Sequence, residues 1–184
     1  MKSYLITSPE YYTQDAEMFV QKLEASFLRY KPDRALYRDK QNAGYKELAA
    51  LFISLCKKHK IEAFLHGDEL LAAAFGAHGV HLTSQQYDQI SKAKEQNLLV
   101  GISAHTKEEV LQAQKLGASY VTYSPIFASP DKGEPKGVEA LKEVLAECSI
   151  DVFALGGIVD EAQIQEIAKT KAVGFASIRY FYNL

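Results

Sequence analysis

The sequence has 184 residues, of which 47% are apolar and 24% are charged, and its formal net charge is -2 at pH 7. This length and balance predict one globular domain over residues 1–184, since the chain is long enough for one sizeable core and short for two domains. The slightly acidic balance argues against nucleic-acid binding, which depends on clustered Lys and Arg side chains. No apolar stretch approaches the 18 residues of a membrane-spanning helix, so no membrane association is expected.

The N-terminus leads directly into a strand-like segment and lacks the cleavage region of a signal peptide. Cys56 and Cys148 lie in helical patterns with no metal-ligand spacing near them. We interpret them as reduced packing residues. Both observations predict a cytoplasmic protein.

Short β-rich runs alternate with amphipathic helical runs along the whole chain. Strands are predicted at residues 4–7, 35–38, 63–66, 79–82, 99–103, 120–127, 152–155 and 173–178. Several of these runs are apolar throughout, as in parallel strands that are covered on both faces. Between them, Thr106 with Glu109 and Asp160 with Gln163 have the spacing of helix capping boxes, and Gly117 is placed to end a helix.

Eight strands in strict alternation with helices predict an α/β fold of the TIM-type (β/α)8 barrel class. A doubly wound sheet is disfavoured because it usually has fewer strands and a glycine-rich first turn. The first turn here is Thr7-Ser8-Pro9-Glu10, which carries no dinucleotide fingerprint.

The last barrel helix is predicted to be missing. Six residues follow the eighth predicted strand, ending with Tyr182-Asn183-Leu184. We therefore expect a shortened barrel whose open flank is covered by Tyr180, Phe181 and Tyr182. The alternative is that a second subunit covers this flank, which would make the protein a homodimer.

Cations and glycines dominate the predicted carboxyl ends of the strands, where parallel barrels bind their ligands. Arg38 and Lys40 alternate at the end of the second strand, so their side chains can point the same way. Lys132 lies in a Pro/Gly-rich loop, residues 129–135, that is long for a strand-to-helix connection and is typical of a ligand-covering segment. Gly156-Gly157 follows the seventh strand, where backbone N–H groups can approach a phosphate. Taken singly, each cation can also be an ordinary surface charge, and the two glycines can simply form a turn.

Five segments are distributed along almost the whole chain: residues 37–40 (YRDK), 79–82 (GVHL), 101–106 (GISAHT), 124–132 (SPIF with Lys132) and 154–158 (ALGGI). In order and spacing this set resembles the thiamine phosphate synthase/TenI superfamily, and GISAHT followed by SPIF is its most specific part. The resemblance implies a (β/α)8 barrel that joins a hydroxymethylpyrimidine diphosphate to a thiazole phosphate, with Mg2+ helping to expel diphosphate. The ligands would be small phosphorylated thiamine precursors.

Matched position by position, the resemblance implies that four side chains bind diphosphate: Arg38, Lys40, Ser103 and Lys132. Gly157, next to Gly156, would hold the thiazole phosphate through its backbone N–H. Arg179 stands where the family has a serine, and we expect it to contact the ligand phosphate or to occupy that site itself. His66 and His81 are candidates for general acid or base catalysis near neutral pH, or else hydrogen-bonded histidines at strand ends.

Several functional positions depart from the family pattern. Leu36 replaces a glutamine, and His66-Gly67 replaces the Asn-Asp pair after the third strand. Gln86 replaces the acidic residue after the fourth strand. Because Mg2+ prefers charged oxygen ligands, we assign no metal-binding residue and expect Mg2+ only if synthase activity is retained.

These departures leave several functional hypotheses. The first is an enzyme of thiamine-precursor metabolism, either a synthase or a relative of the metal-free TenI-type thiazole tautomerase, whose catalytic histidine corresponds to Pro125. The second is a non-catalytic barrel that binds a phosphorylated ligand. The third is an isomerase or epimerase that acts on a sugar phosphate.

Overall fold

The computed structural model describes residues 1–130 and 132–182. Eight strands form a closed parallel barrel in which each strand pairs with the next along the chain and the last pairs with the first. The strands are β1 (Lys2–Ile6), β2 (Arg34–Tyr37), β3 (Glu62–His66), β4 (Gly79–Leu82), β5 (Leu99–Ala104), β6 (Tyr120–Tyr123), β7 (Asp151–Leu155) and β8 (Gly174–Ser177). The predicted TIM-type barrel is confirmed. Asp131, Asn183 and Leu184, which belong to the predicted domain 1–184, lie outside the described residues.

Helices surround the barrel, and four of them begin directly after a residue whose side chain caps the first turn. They are α1 (Pro9–Tyr12), α2 (Ala16–Tyr30), α3 (Tyr45–His59), α4 (Glu69–Ala74), α5 (Ile90–Glu95), α6 (Lys107–Lys115), α7 (Gly137–Glu147), α8 (Glu161–Ala168) and α9 (Arg179–Tyr182). Both predicted capping boxes are present: Thr106 accepts from the N–H of Glu109 at 3.2 Å, and Asp160 accepts from the N–H of Gln163 at 2.9 Å. Across the described ranges, no helix is both long and apolar enough to cross a bilayer.

The barrel interior is filled with aromatic side chains at its amino end. The Tyr4 ring lies 5.7 Å from the Phe64 ring and 5.5 Å from the Phe153 ring, measured between centroids. Below them the buried Arg34 guanidinium lies 4.9 Å from the Tyr120 ring centroid and forms an ion pair with Glu62 at 2.6 Å. Side chains therefore fill the interior at this end, and a ligand-sized cavity of the barrel lies at the carboxyl end.

The sixth strand is shorter than predicted. It ends at Tyr123, and the following Ser124–Pro125 peptide bond is cis. Proline has no N–H for the sheet ladder, so the strand cannot continue through position 125. The next residues instead pack onto the end of β7, where the N–H of Ile126 donates to the Leu155 carbonyl at 2.9 Å.

A single helical turn of four residues, α9, follows β8 within the described residues. Phe181 is 1% exposed and stacks on Phe175 with 5.7 Å between ring centroids. Tyr180 lies against Tyr30 at 5.2 Å, and Tyr182 lies against Tyr11 at 4.8 Å. The predicted aromatic cover is therefore present, whereas the homodimer stays a prediction.

Candidate functional site

A cavity of about 520 Å³ opens at the carboxyl end of the barrel. All nine residues predicted for the site line it: Arg38, Lys40, His66, His81, Ser103, Lys132, Gly156, Gly157 and Arg179. The barrel brings them together because the strand ends meet at one rim, although they come from distant parts of the chain. Their common position is thus observed, and the role of each stays a prediction.

Three of the four cations form a mutually repelling group. The pKa of Lys40 is lowered first by the charge of Arg38, then by burial and by the charge of Lys132. Burial also lowers the pKa of Arg38. Within the described ranges, none of these three side chains forms an ion pair with a carboxylate. Such a group stabilises a bound anion, because the anion relieves the repulsion.

His66 lies beside this cationic group at the end of β3. Burial, followed by the charges of Arg38 and Lys40, lowers its pKa to about 4. The ring is therefore uncharged at neutral pH. This favours a hydrogen-bonding role over proton donation near pH 7.

The loop after β7 brings backbone groups to the cavity. Gly156 and Gly157 have φ values of 98° and 70°, a conformation that glycine adopts without strain. A Cβ atom on Gly157 would lie 2.4 Å from the Ala128 carbonyl oxygen, so only glycine fits there. The Gln163 side chain donates to the Gly157 carbonyl at 2.9 Å and accepts from the N–H of Val159 at 2.7 Å. The first turn of α8 thus holds the loop in place.

Arg179 is the first residue of α9 and lines the cavity together with the glycine loop. The turn before it is held by Ser177, which donates to the Ile158 carbonyl at 2.7 Å and accepts from the N–H of Tyr180 at 3.2 Å. Arg179 forms no ion pair with a carboxylate of the described residues. Its charge is therefore available to a ligand.

His81 is placed differently from His66. It is almost fully buried in the barrel interior, where its Nδ1 lies 3.3 Å from Tyr120 Oη and its Nε2 lies 3.1 Å from Ser103 Oγ. Burial, followed by the charges of His66 and Arg38, lowers the pKa of His81 to about 3. This ring is therefore also uncharged at neutral pH.

Gln86 and Asp68, at and beside the positions where the family pattern has acidic residues, both form hydrogen bonds within the protein. Gln86 uses both ends of its amide within the protein: the oxygen accepts from the N–H of Thr83 at 3.0 Å and the nitrogen donates to the Gly67 carbonyl at 2.9 Å. The neighbouring Asp68 caps α4 by accepting from the N–H of Leu71 at 2.8 Å. No group of three or more His, Cys, Asp or Glu side chains in the described ranges is arranged to hold a metal ion.

The structure adds residues to the site that the sequence did not indicate. Ser8, Glu10 and Tyr11 line the cavity because the short helix α1 lies over the end of β1. Pro9 directly after Ser8 is the signal that was available, since proline is common in the first turn of a helix. Thr83 and Ser84, after β4, are further lining residues of this kind.

A second cavity, of about 510 Å³, lies at the amino end beside Lys2, Asp33 and Glu62. Its acidic groups are used within the protein: Asp33 accepts from the N–H of Ser3 at 2.8 Å, and Glu62 is paired with Arg34. These two carboxylates are therefore already engaged within the protein.

Comparison with known proteins agrees with this geometry. The model of the thiamine monophosphate synthase family matches residues 3–181. A thiamine-phosphate synthase from Listeria welshimeri is 32% identical over 140 residues, which is 72% of this chain and 67% of the relative. The structure of a thiamine phosphate pyrophosphorylase from Pyrococcus furiosus, 27% identical, superposes with a TM-score of 0.81 over 96% of this chain and 85% of that one.

An N-acetylmannosamine-6-phosphate 2-epimerase from Clostridium perfringens also superposes, with a TM-score of 0.72 over 97% of this chain and 86% of that one. At 12% identity this likeness shows a shared fold alone and does not support the sugar-phosphate hypothesis. The family model and the Listeria welshimeri relative each match more than two thirds of this chain. The chain therefore belongs to the thiamine monophosphate synthase family.

Proposed function

We propose that this protein is a synthase-type transferase of thiamine biosynthesis that joins a hydroxymethylpyrimidine diphosphate to a thiazole phosphate. In this reaction a bond forms between the pyrimidine methylene carbon and the thiazole nitrogen, and the bond from the same carbon to the diphosphate oxygen breaks. The observation that carries the proposal is the convergence of a cationic group, a glycine loop and Arg179 in one cavity. Two phosphorylated molecules need two anion-binding regions in the same space.

The cationic group would bind the diphosphate. Arg38, Lys40 and Lys132 lack carboxylate partners in the described ranges, so their charge can stabilise the negative charge that develops on departing diphosphate. Ser103 would add a hydrogen bond from the end of β5. His66 would face the same anion as a neutral hydrogen-bonding group.

The glycine loop would bind the thiazole phosphate. The N–H of Gly157 donates to no acceptor in the described residues, and the absence of side chains at both glycines lets a phosphate approach the backbone. Arg179 would add a charge-assisted hydrogen bond to the same phosphate.

The family uses Mg2+, but the residues present here do not fit that ion. Gly67 has no side chain, and the Gln86 carbonyl oxygen already accepts a hydrogen bond within the protein. Asp68 is exposed and caps a helix. Mg2+ prefers several charged oxygens in octahedral geometry, which these side chains do not supply. The proposed chemistry therefore assigns no step to the metal.

The proposal is tested by incubating the pure protein with the pyrimidine diphosphate, the thiazole phosphate and Mg2+ and measuring thiamine phosphate. The wild type is expected to form product, and Arg38→Ala is expected to lose at least tenfold in rate, since a hydrogen bond to a charged group contributes about 1.5–3 kcal/mol. Lys60→Ala is the matched control, because Lys60 is an exposed cation at the other end of the barrel.

A second candidate function is a binding barrel that has lost the chemistry. The Gln86 amide favours this candidate, because both its oxygen and its nitrogen form hydrogen bonds within the protein. A metal ligand at that position would keep its oxygen free. The binding barrel would become the better account if the wild type forms no thiamine phosphate but its Tm rises when thiazole phosphate is added.

A further inference from the structure

A continuous row of hydrogen-bonding side chains joins the barrel interior to the carboxyl-end cavity. Tyr4 Oη lies 2.8 Å from Tyr120 Oη, which lies 3.3 Å from His81 Nδ1. On the other side of the ring, His81 Nε2 lies 3.1 Å from Ser103 Oγ. Tyr4, Tyr120 and His81 are 0%, 1% and 3% exposed, whereas Ser103 lines the cavity. The row begins in the buried interior and ends at the cavity.

Burial fixes the protonation states of His81, Tyr4 and Tyr120 at pH 7. The His81 ring is neutral at pH 7, since burial lowers its pKa to about 3, and a neutral imidazole has one N–H donor and one acceptor nitrogen. Burial raises the pKa of Tyr4 and of Tyr120, so both hydroxyls keep their protons. The hydrogen bonds of the row can therefore run in one of two opposite directions.

In the inward direction, Ser103 donates to Nε2, Nδ1–H donates to Tyr120, and Tyr120 donates to Tyr4. The hydroxyl proton of Tyr4 then has no acceptor, because Tyr120 is the single hydrogen-bond partner of Tyr4 Oη within residues 1–130 and 132–182. A buried donor without an acceptor costs about 1–3 kcal/mol.

In the outward direction, Tyr4 donates to Tyr120, Tyr120 donates to Nδ1, and Nε2–H donates to Ser103 Oγ. Every proton in the row is then accepted, and the Ser103 hydroxyl proton is left over for the cavity. Thr122 Oγ1, at 3.5 Å from His81 Nε2, is too distant to decide between the directions. The outward direction is therefore favoured.

We propose that the Tyr4–Tyr120 pair holds His81 in the tautomer with Nε2 protonated, and that this tautomer makes Ser103 a hydrogen-bond donor to the anion in the cavity. His81 is then a positioning residue that acts through Ser103. Tyr4 and Tyr120 contribute to anion binding although neither touches the ligand. The inference rests on the proposed function, in which Ser103 contacts diphosphate.

The tautomer is measured directly by 15N NMR of the wild-type protein with labelled histidine, at pH 7 and without ligand. We expect His81 to show a protonated Nε2 and a bare Nδ1. A protonated Nδ1 would overturn the inference, whatever the protein binds. The correct tautomer in a wild type that binds no inorganic diphosphate would overturn the proposed anion site and the role of Ser103 in it.

Variants test the link to binding, with inorganic diphosphate as the probe. Ser103→Ala and His81→Leu are each expected to weaken its affinity about tenfold, and His81→Leu is expected to add no further loss in the Ser103→Ala background. His81→Gln is expected to restore most of the affinity, because its amide nitrogen can donate to Ser103 from the position of Nε2. Losses that multiply in the double variant, or a His81→Gln variant as weak as His81→Leu, would contradict the inference even if both proteins fold.

Discussion

Gly157 combines a left-handed backbone with a close approach to a neighbouring chain segment. Its φ is 70° and an added Cβ would lie 2.4 Å from the Ala128 carbonyl oxygen. We expect Gly157→Ala to lower Tm and to abolish thiazole phosphate binding, measured by calorimetry. Gly76→Ala is the matched control, since Gly76 has a φ of 68° but nothing within 4 Å of the added atom. Equal effects of the two variants would show that the close approach is unimportant.

Arg179 places a positive charge beside the glycine loop, at a position where the family pattern has a serine. If it contacts the ligand phosphate, Arg179→Ser should weaken thiazole phosphate binding about tenfold in a titration, because a charge-assisted hydrogen bond is lost. If its guanidinium occupies the phosphate site, the same change should strengthen binding. Arg29→Ser controls for the loss of one positive charge, since Arg29 is exposed at the end of α2. Unchanged affinity would remove both explanations.

At the scale of the element, α9 shows how one helical turn covers a barrel flank. Phe181 is 1% exposed and packs against Phe175 and Tyr30. Phe181→Ala is expected to lower the free energy of unfolding by about 3–5 kcal/mol, measured by urea denaturation, because the side chain leaves a cavity. Leu70→Ala, at a residue 64% exposed, should change it by less than about 0.5 kcal/mol. A small effect at Phe181 would show that the flank is covered in another way.

Element boundaries were predictable where a local signal sets them. Both capping boxes and the glycine after α6 lie at the predicted positions, because a cap involves residues three or four apart. The end of β6 was predicted four residues too late, at Phe127, although Pro125 was a local signal against continuing the strand. There the chain leaves the sheet to pack on the loop after β7, a contact between segments about 30 residues apart.

At the scale of the molecule, the two cavity histidines, His66 and the buried His81, should make stability depend on pH. The folded-state pKa of His66 is lowered to about 4, so between pH 6.5 and 4 the unfolded chain binds more protons than the folded one. Stability therefore falls as the pH falls through this window. His81, whose pKa is lowered to about 3, acts in the same direction.

The measurement compares the free energy of unfolding at pH 7 and pH 5 for wild type and His66→Asn. The fall from pH 7 to pH 5 should be smaller in the variant by up to about 2 kcal/mol. His78→Asn is the control, since its ring lies outside the cavity and bonds to the N–H of Ala63. A fall of the same size in His66→Asn and wild type would contradict the lowered pKa.

The sequence by itself determined the alternation of eight strands with helices, the barrel and the residue types at its carboxyl end. These follow from apolar periodicity, from caps and from the rule that parallel strands end at one rim, all of which are readable over short stretches. Only the tertiary structure decided the charge states of His66 and His81, the hydrogen bonds that occupy Gln86, and the presence of Glu10 and Tyr11 at the cavity. Burial and the direction of hydrogen bonds depend on residues far apart in the chain, and these become neighbours only when the barrel closes.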